Sequence, residues 1–482
     1  MTLEPTAVDP RDPLQLRADA PLFDAWLRHE ETIRVPMTTP GHKRRTDRFG
    51  SLIAGDVPKD RGLDFRQPYD LTADAEARIA RAWDADWARI SVGGSTHGNQ
   101  SLALALGQPG DEVVVARSLH RSTFTGLVLA GLQPVWVQPE IDPASGLPMG
   151  LPVSRVAEML RRHPRARAVI LTEPSYVGTV SDLTGHAELA HAHGIPLIVD
   201  QAWGAYLGFH PDVGQHALQA GADALVTSAH KTLPAYNQAA FVIARTARLD
   251  ATRLDRGFDA THTTSPSGVI MASADASRAL LTRDGHRLIG DLIRLVSRAR
   301  DRLEEVPGLR VMRSRSGMTV DPTKLVVLFA GTGANGLDVE SDLARSGINV
   351  ENADQDSMIL LVTMADDERP VAAACGAVID SVEARRGTPR PVTPQGVWTV
   401  APDVVMSPRE AFFAPHVTVP AAQAVGRVSA ELVAPYPPGV PVLAPGERIT
   451  AEAVTDLQAA ADAGVQVRYA TDSTLRTFDV VA

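Results

Sequence analysis

One cysteine, Cys375, is all that 482 residues contain, so no intrachain disulfide can form. Its place in the apolar helical run Val371 to Val382 reads as a small buried residue, not as a reactive thiol. Basic charge is also in short supply: 47 lysines and arginines stand against 57 aspartates and glutamates, a formal net charge of -10. A chain with that balance, and a pI near 5.8, lacks the basic face that nucleic acid or an anionic membrane rewards. No stretch approaches the roughly 18 uninterrupted apolar residues of a membrane helix, and Met1 to Arg17 carries charges and prolines without an apolar core. Neither membrane insertion nor secretion is expected. These absences point to a cytoplasmic protein whose partners are small molecules and its own copies.

What is present is an ordinary globular composition, 44% hydrophobic, in a chain too long for one compact core. Two or three domains are therefore expected. From about Ala88 to Val242 short β-branched runs alternate with amphipathic stretches, the mark of βα units around a mostly parallel sheet. The strand runs are Glu112 to Ala116, Pro134 to Val137, Ala166 to Leu171, Pro196 to Asp200, Ala224 to Thr227 and Ala239 to Ile243. Helices read from Thr96 to Leu106, Thr123 to Gly131, Val153 to Arg162 and Gly185 to His193, with Gly107, Gly131 and Gly194 as stops. Ser273 to Glu305 has the period and length of a connecting helix, and a second α/β unit follows over Thr323 to Val382. The proline-rich segment Arg385 to Pro394 reads as a linker into a third, smaller region. The division expected is an N-terminal arm over 1–50, a large domain over 51–268, a connecting helix with a small α/β domain over 269–385, and a C-terminal domain over 386–482.

The chemistry concentrates in two segments. Ile198-Val-Asp-Gln-Ala-Trp203 ends a strand on Asp200, and Leu225-Val-Thr-Ser-Ala-His-Lys231 places a lysine 31 residues later. An aldehyde cofactor needs a primary amine that can be lost and regained, and its pyridine ring acts as an electron sink only beside a carboxylate that keeps the ring nitrogen protonated. Lys231 and Asp200 supply those two ends of a pyridoxal phosphate site. Ser228 and His230 add a hydroxyl and an imidazole beside the amine, suited to holding phosphate and to moving protons near neutral pH. Gly93-Gly-Ser-Thr-His-Gly-Asn99 lies between a strand ending near Val92 and a helix, so its backbone amides and the Ser95 and Thr96 hydroxyls form a helix-terminus anion site. Alone, such a segment would be a plain capped helix start; the company of Asp200 and Lys231 makes it a phosphate loop at the carboxyl ends of strands. Trp203 reads on its own as core packing, and His120 as either a helix-start residue or a ring stacked on the cofactor; both are carried with the cofactor-binding set.

These residues resemble the bacterial ornithine/lysine/arginine decarboxylase family of fold-type I pyridoxal phosphate enzymes. The resemblance runs from Thr39-Pro-Gly-His-Lys43 through Ser228-Ala-His-Lys-Thr-Leu-Pro234 and Thr263-Thr-Ser-Pro-Ser267 to Pro435-Tyr-Pro-Pro-Gly-Val-Pro441 and Pro445-Gly-Glu447. It implies an aspartate aminotransferase-like large α/β domain with a mostly parallel seven-stranded sheet, a smaller α/β domain and a small C-terminal domain, in a short form without the N-terminal wing. It also implies phosphate contacts from Ser95, Thr96 and Ser228, ring stacking by His120, the pyridinium partner Asp200 and the Schiff-base lysine Lys231. Thr264 and Ser265 would reach the phosphate of a neighbouring subunit, making a homodimer or an assembly of dimers. The implied reaction is decarboxylation of arginine or lysine, and less readily ornithine, in polyamine or diamine formation, with His230 and Lys231 as the nearest acids for reprotonation. An aminotransferase, a β-eliminating lyase or a non-catalytic regulatory relative are the alternatives on the same scaffold. Glu351, closing an apolar strand in Gly347-Ile-Asn-Val-Glu351, matches an acidic residue near the far end of the family's substrate, though a solvated strand-end glutamate reads as well. The sequence departs from the family pattern at Asp56-Val-Pro-Lys-Asp60, Gly93-Gly-Ser-Thr96 and Arg117-Ser-Leu-His-Arg121, which bears on substrate choice.

Two motifs are set aside. Gly331-Thr-Gly-Ala-Asn-Gly336 is a literal dinucleotide fingerprint with Glu351 20 residues past Gly331, yet roughly 60 residues of α/β pattern cannot supply both halves of a dinucleotide fold. It reads as a strand, turn and helix of the small domain. His186, His191 and His193 lack the i, i+4 spacing of a metal pair and read as a solvated helix end, so no metal is expected; His42-Lys-Arg-Arg45 is too short for a nucleic-acid patch.

Overall fold

The computed structural model describes residues 16–32, 55–57, 70–392, 401–436, 439–462 and 465–482. The Thr39 to Lys43 block, the basic run to Arg45, residues 58–60 of the Asp56 segment, the end of the proline-rich linker and the paired prolines of the Tyr-Pro-Pro-Gly block lie outside the described residues.

The large domain carries strands β1 (Trp87–Ser91), β2 (Glu112–Ala116), β3 (Gln133–Val137), β4 (Val169–Thr172), the two-residue β5 (Thr179–Val180), β6 (Leu197–Asp200), β7 (Ala224–Ser228) and β8 (Ala240–Ala244). All but β5 join one seven-stranded sheet of order β1-β8-β7-β6-β4-β2-β3. β3, β2, β4, β6 and β7 run parallel; β8 is antiparallel to both of its neighbours. The strands read as unbroken apolar runs because helices cover both faces. Val114, Val169, Leu197 and Val199 enter the core on one face, and Val113, Val115, Ile170 and Ile198 the core on the other.

The four expected helices are present as Gly94–Leu106, Arg121–Ala130, Val153–Arg162 and Leu183–Ala192. Three begin two residues earlier than the apolar period does. At two of them a cap draws in the first turn: the side chains of His120 and Asp182 accept backbone N–H bonds from Ser122 and Gly185. The last helix corrects one expectation. His186 is fully buried, its Nε2 2.8 Å from the Leu151 carbonyl, because it shares an inward face with Leu183, Ala187 and Ala190. Only His193, beyond the helix end, meets solvent as expected.

The connecting helix runs from Gly268 to Glu304, starting five residues before the expected point. Met271, Ala274, Leu281 and Ile289 pack into the large domain, and Leu292, Leu295, Val296, Ala299 and Leu303 into the small one. The helix is thus shared between two cores. The small domain contains β9 (Arg310–Val311), β10 (Thr319–Val320), β11 (Leu325–Leu328), β12 (Asn352–Ala353) and β13 (Ser357–Leu360), of which β12-β13-β11-β9 form a sheet and β10 pairs with β5. Helices Gly336–Arg345 and Glu368–Ala384 cover it, the second burying Cys375. Glu351 does not close a strand: the chain leaves helix Gly336–Arg345 through Gly347 at φ +77°, and pairing begins only at Asn352.

The C-terminal region adds β14 (His416–Pro420), β15 (Ala434–Tyr436), β16 (Gln466–Arg468) and β17 (Thr477–Val481), paired β14 with β17 and β15 with β16. Helix Ala451–Asp462 packs over their core. Among the described residues no helix is long and apolar enough to cross a membrane.

Candidate active site

The strands β1, β6 and β7 end on one edge of the sheet, and each hands a chemical group to the same cavity of about 530 Å³. Beyond β1 the chain turns through Gly94 at φ +69°, a conformation that suits glycine. The Gly94 amide donates to the Gln238 carbonyl at 2.9 Å. The helix that follows lies so flat on the sheet that a Cβ on Gly98 would stand 2.6 Å from Val226 Cγ1. This close approach brings Ser95 to Ser228, whose hydroxyls are 2.7 Å apart although 133 residues separate them. Thr96 lines the cavity beside them.

Asp200, at the end of β6, is 3% exposed. Its Oδ1 accepts from the Ala202 amide at 3.1 Å and its Oδ2 from Asn99 Nδ2 at 2.7 Å. The same Asn99 nitrogen donates to Ser122 Oγ at 2.9 Å, and Ser122 Oγ lies 2.8 Å from His120 Nδ1. His120 Nδ1 also accepts from the Ser122 amide, which fixes the ring proton on Nε2. Asp200 and His120 are therefore tied together through Asn99. Burial lowers the His120 pKa more than Asp200 raises it, which favours the neutral ring.

Lys231 follows β7 in the short helix Ala229–Thr232. Its Nζ lies 4.2 Å from the centroid of the Trp203 ring. Burial lowers its pKa, against the pull of the carboxylates Asp200 and Glu351. His230 places Nδ1 3.0 Å from the Ala239 carbonyl, so that nitrogen carries the proton and Nε2 remains the site for exchange. Burial lowers its pKa as well.

Trp203 is more than core packing. It meets Tyr176 edge-on, with centroids 5.3 Å apart, and the two rings line both the Lys231 cavity and a small hollow adjoining it. That hollow holds Glu351 and Lys324. Glu351 accepts a hydrogen bond from the Tyr176 hydroxyl at 3.2 Å and is not among the residues lining the main cavity. Thr264 lines a separate recess with Phe258 and His262; Thr264 and Ser265 are exposed and lie outside the Lys231 cavity. Among the described residues no group of histidine, cysteine or carboxylate side chains is arranged to hold a metal.

Several site residues escaped the sequence reading: Ser118, Tyr176, Gln238, Val440 and Tyr469 in the cavity lining, and Asn99, which binds Asp200. Asn99 carried a signal, since it falls four residues after Ser95 and so on the same helical face. Val440 was marked only as part of the Pro435 to Pro441 block of the resemblance and Tyr469 carried no signal, because both arrive from more than 200 residues away. The arrangement offers a buried amine of weakened basicity, a carboxylate held in place by an amide, and a hydroxyl-lined helix start. An aldehyde cofactor with an anionic tail fits that donor set: the paired Ser95 and Ser228 hydroxyls have no other side-chain partner among the described residues, and the nearest atoms to a Cβ on Gly94 are 3.9 Å away, leaving the turn open.

Family models match residues 20–316 as the Orn/Lys/Arg decarboxylase major domain and residues 393–465 as the Orn/Lys/Arg decarboxylase C-terminal domain. The arginine decarboxylase of Halalkalibacterium halodurans is 31% identical, over 96% of this chain and 97% of its own length. That of Bacillus subtilis is 30% identical, over 96% and 98%. Among solved structures, the Francisella novicida lysine decarboxylase LdcF superposes with a TM-score of 0.81 at 20% identity, covering 96% of this chain and 81% of that one, a likeness of fold.

Proposed function

The chain belongs to the Orn/Lys/Arg decarboxylase family, and from that premise we propose that it decarboxylates arginine in the Lys231 cavity, using pyridoxal phosphate. It is an amino-acid decarboxylase, a carboxy-lyase acting on a basic amino acid, on a fold-type I scaffold. Arginine is favoured because relatives matching nearly the whole chain at 29–31% identity bear that name, whereas those named for lysine match at 24–25%.

The observation that carries the proposal is that Asp200, His120 and Lys231 line one cavity, with Asp200 and His120 linked to each other through Asn99 and Ser122. Pyridoxal phosphate, when bound, supplies an aldehyde that captures an amine and a protonated ring nitrogen that draws in the electron pair left when carbon dioxide departs. Asp200 would hold the proton on that nitrogen, and Asn99 aims the carboxylate by binding its Oδ2. Ser95, Thr96, Ser228 and the free amides of the helix start would receive the phosphate. His120 presents its ring to the cofactor and Trp203 closes the wall beside Lys231. Lys231, with its proton held less firmly than usual, would more readily supply the amine that takes up the cofactor and, once protonated again, would be the donor of a proton to the carbon that has lost its carboxylate; His230 Nε2, when protonated, is the second candidate donor. No arginine occurs among the described residues lining the cavity. None of these residues therefore supplies a guanidinium clamp on the substrate carboxylate, which would stabilise the ground state decarboxylation must destroy. Glu351 would act on the distal cation from behind Tyr176. Thr264 and Ser265 would complete the phosphate site of a second subunit, in a cytoplasmic homodimer or an assembly of dimers.

The test is release of carbon dioxide and amine by the purified, cofactor-loaded protein from arginine, lysine and ornithine in parallel. Arginine is expected to lead. Release from lysine alone would replace the substrate, and release from none, with the visible absorbance of the lysine-linked cofactor present, would overturn the reaction.

A further inference from the structure

Three of the residues lining the cavity, Gly439, Val440 and Tyr469, come from the C-terminal region. Gly439 and Val440 belong to the Tyr-Pro-Pro-Gly-Val block, which the chemistry around Lys231 does not use. What seats this block is Arg117, the residue just after β2. Its Nη1 and Nη2 meet Glu447 Oε1 and Oε2 at 2.5 and 2.8 Å, while its Nε and Nη2 donate to the carbonyls of Pro441 and Val442 at 2.9 Å each. The two side chains are 2% and 3% exposed. Glu447 Oε2 also takes the Ala444 amide at 2.9 Å, and the guanidinium lies over Trp136, 4.6 Å from the ring centroid.

A two-pronged pair of this kind, buried and with its charges fully bonded, adds little net stability over an apolar replacement, so its value lies in fixing register. Here it fixes both sides of the cavity at once. Arg117 leads directly into Ser118, Leu119 and His120, which line one wall, and the carbonyls it holds follow Val440 on the other. A second tie runs from Arg121, stacked 4.6 Å from the Tyr469 ring centroid. The groups assigned to the cofactor all come from the large domain. The C-terminal contribution is apolar and aromatic, the surface that the methylene stem of a basic amino acid requires.

We propose that Val440 and Tyr469 are specificity residues that contact the substrate side chain, and that Arg117 and Glu447 are the positioning pair that holds them against the cavity. The inference rests on the decarboxylase reading above and assigns the C-terminal region a part in it. Arginine, lysine and ornithine differ in stem length and head group, and one methylene against a packed wall is worth about 10-fold or more in discrimination.

The experiment measures kcat/KM for arginine and ornithine in cofactor-loaded wild-type, Val440→Phe, Val440→Ala and Tyr469→Leu proteins, each repeated in a Glu447→Ala background. Val440→Phe is expected to shift the arginine-to-ornithine ratio by about 10-fold, with the lysine-linked absorbance unchanged. Val440→Ala, which removes bulk without crowding the fold, shifts it in the opposite direction. In the Glu447→Ala background the Val440 changes lose most of their effect, a coupling that a merely structural ion pair would not produce. Ratios within about 2-fold of wild type in all three single variants, with absorbance intact, would overturn the inference and leave the decarboxylase reading standing. Loss of that absorbance in the wild-type protein itself would instead remove the cofactor site on which both depend.

Discussion

Lys231 and Lys324 both direct an ammonium at the ring of Trp203, 4.2 and 4.4 Å from its centroid, yet only Lys231 opens onto the large cavity. Lys324 is 5% exposed and lies in the small hollow with Glu351 and Tyr206. Its stem passes over Gly178, at φ +89°, where any side chain would overlap it. Its ammonium makes no hydrogen bond or ion pair to another described residue, and burial pushes its pKa down to about 8, against the pull of Asp321 and Glu351. The two amines share a ring and differ in what faces them. An amine becomes useful through an open cavity, a carboxylate and a hydroxyl-lined anion site; burial alone yields only a costly charge.

Substitution separates the two most sharply. Lys231→Ala should abolish the lysine-linked cofactor absorbance and lower turnover by about 10⁴-fold or more, leaving the fold intact. Activity persisting at the wild-type rate would overturn the site. Lys324→Met should do the reverse: keep the absorbance and raise stability. An ammonium with a folded-state value of about 8 and a usual value of 10.5 penalises the folded chain at every pH below about 8. The penalty fades between about 8 and 10.5, where both states become neutral. Methionine removes it, a gain of about 2–3 kcal/mol at pH 7 that shrinks toward pH 10. Thermal unfolding at the two pH values measures this, and a loss of stability at pH 7 would show that Lys324 has a compensating partner in the assembled enzyme.

The same contrast explains what the sequence disclosed. Strands such as Glu112–Ala116 were legible to the residue because burial on both sheet faces leaves an unbroken apolar run between polar stops. Lys231 and Asp200 were legible because each role admits few residue types. Asn99 was only half legible: its place four residues after Ser95 put it on the same helical face, but an asparagine inside a helix has many uses and the folded distance to Asp200 selects one. Val440 and Tyr469 depend on contacts across more than 300 residues, which no local period encodes. The glycines make the point again. Gly94 leaves an open turn at the cavity, whereas a Cβ on Gly331, Gly333 or Gly336 would collide with the backbone of Gly308, Gly387 or Asp354. The literal dinucleotide fingerprint is thus filled by the protein's own chain, and its strand, turn and helix serve the packing of the small domain.

Glu351 tests where the border between the two hollows lies. The family resemblance assigns it to the substrate's far end, but its carboxylate is spent on the Tyr176 hydroxyl, on the side of the wall occupied by Lys324. If it reaches the substrate only through Tyr176, Glu351→Gln should weaken the apparent affinity for arginine by at most about 5-fold, the worth of a screened charge of about 1 kcal/mol, with kcat nearly unchanged. Its charge also favours the protonated form of Lys231. Neutralising it should therefore let Lys231 release its proton more readily and move the acidic limb of cofactor capture by the cofactor-free protein to lower pH. A shift to higher pH would contradict the assignment of charges around Trp203. A far larger loss of apparent affinity, about 100-fold, would place Glu351 in direct contact with the guanidinium, with Tyr176 turned aside in the loaded enzyme.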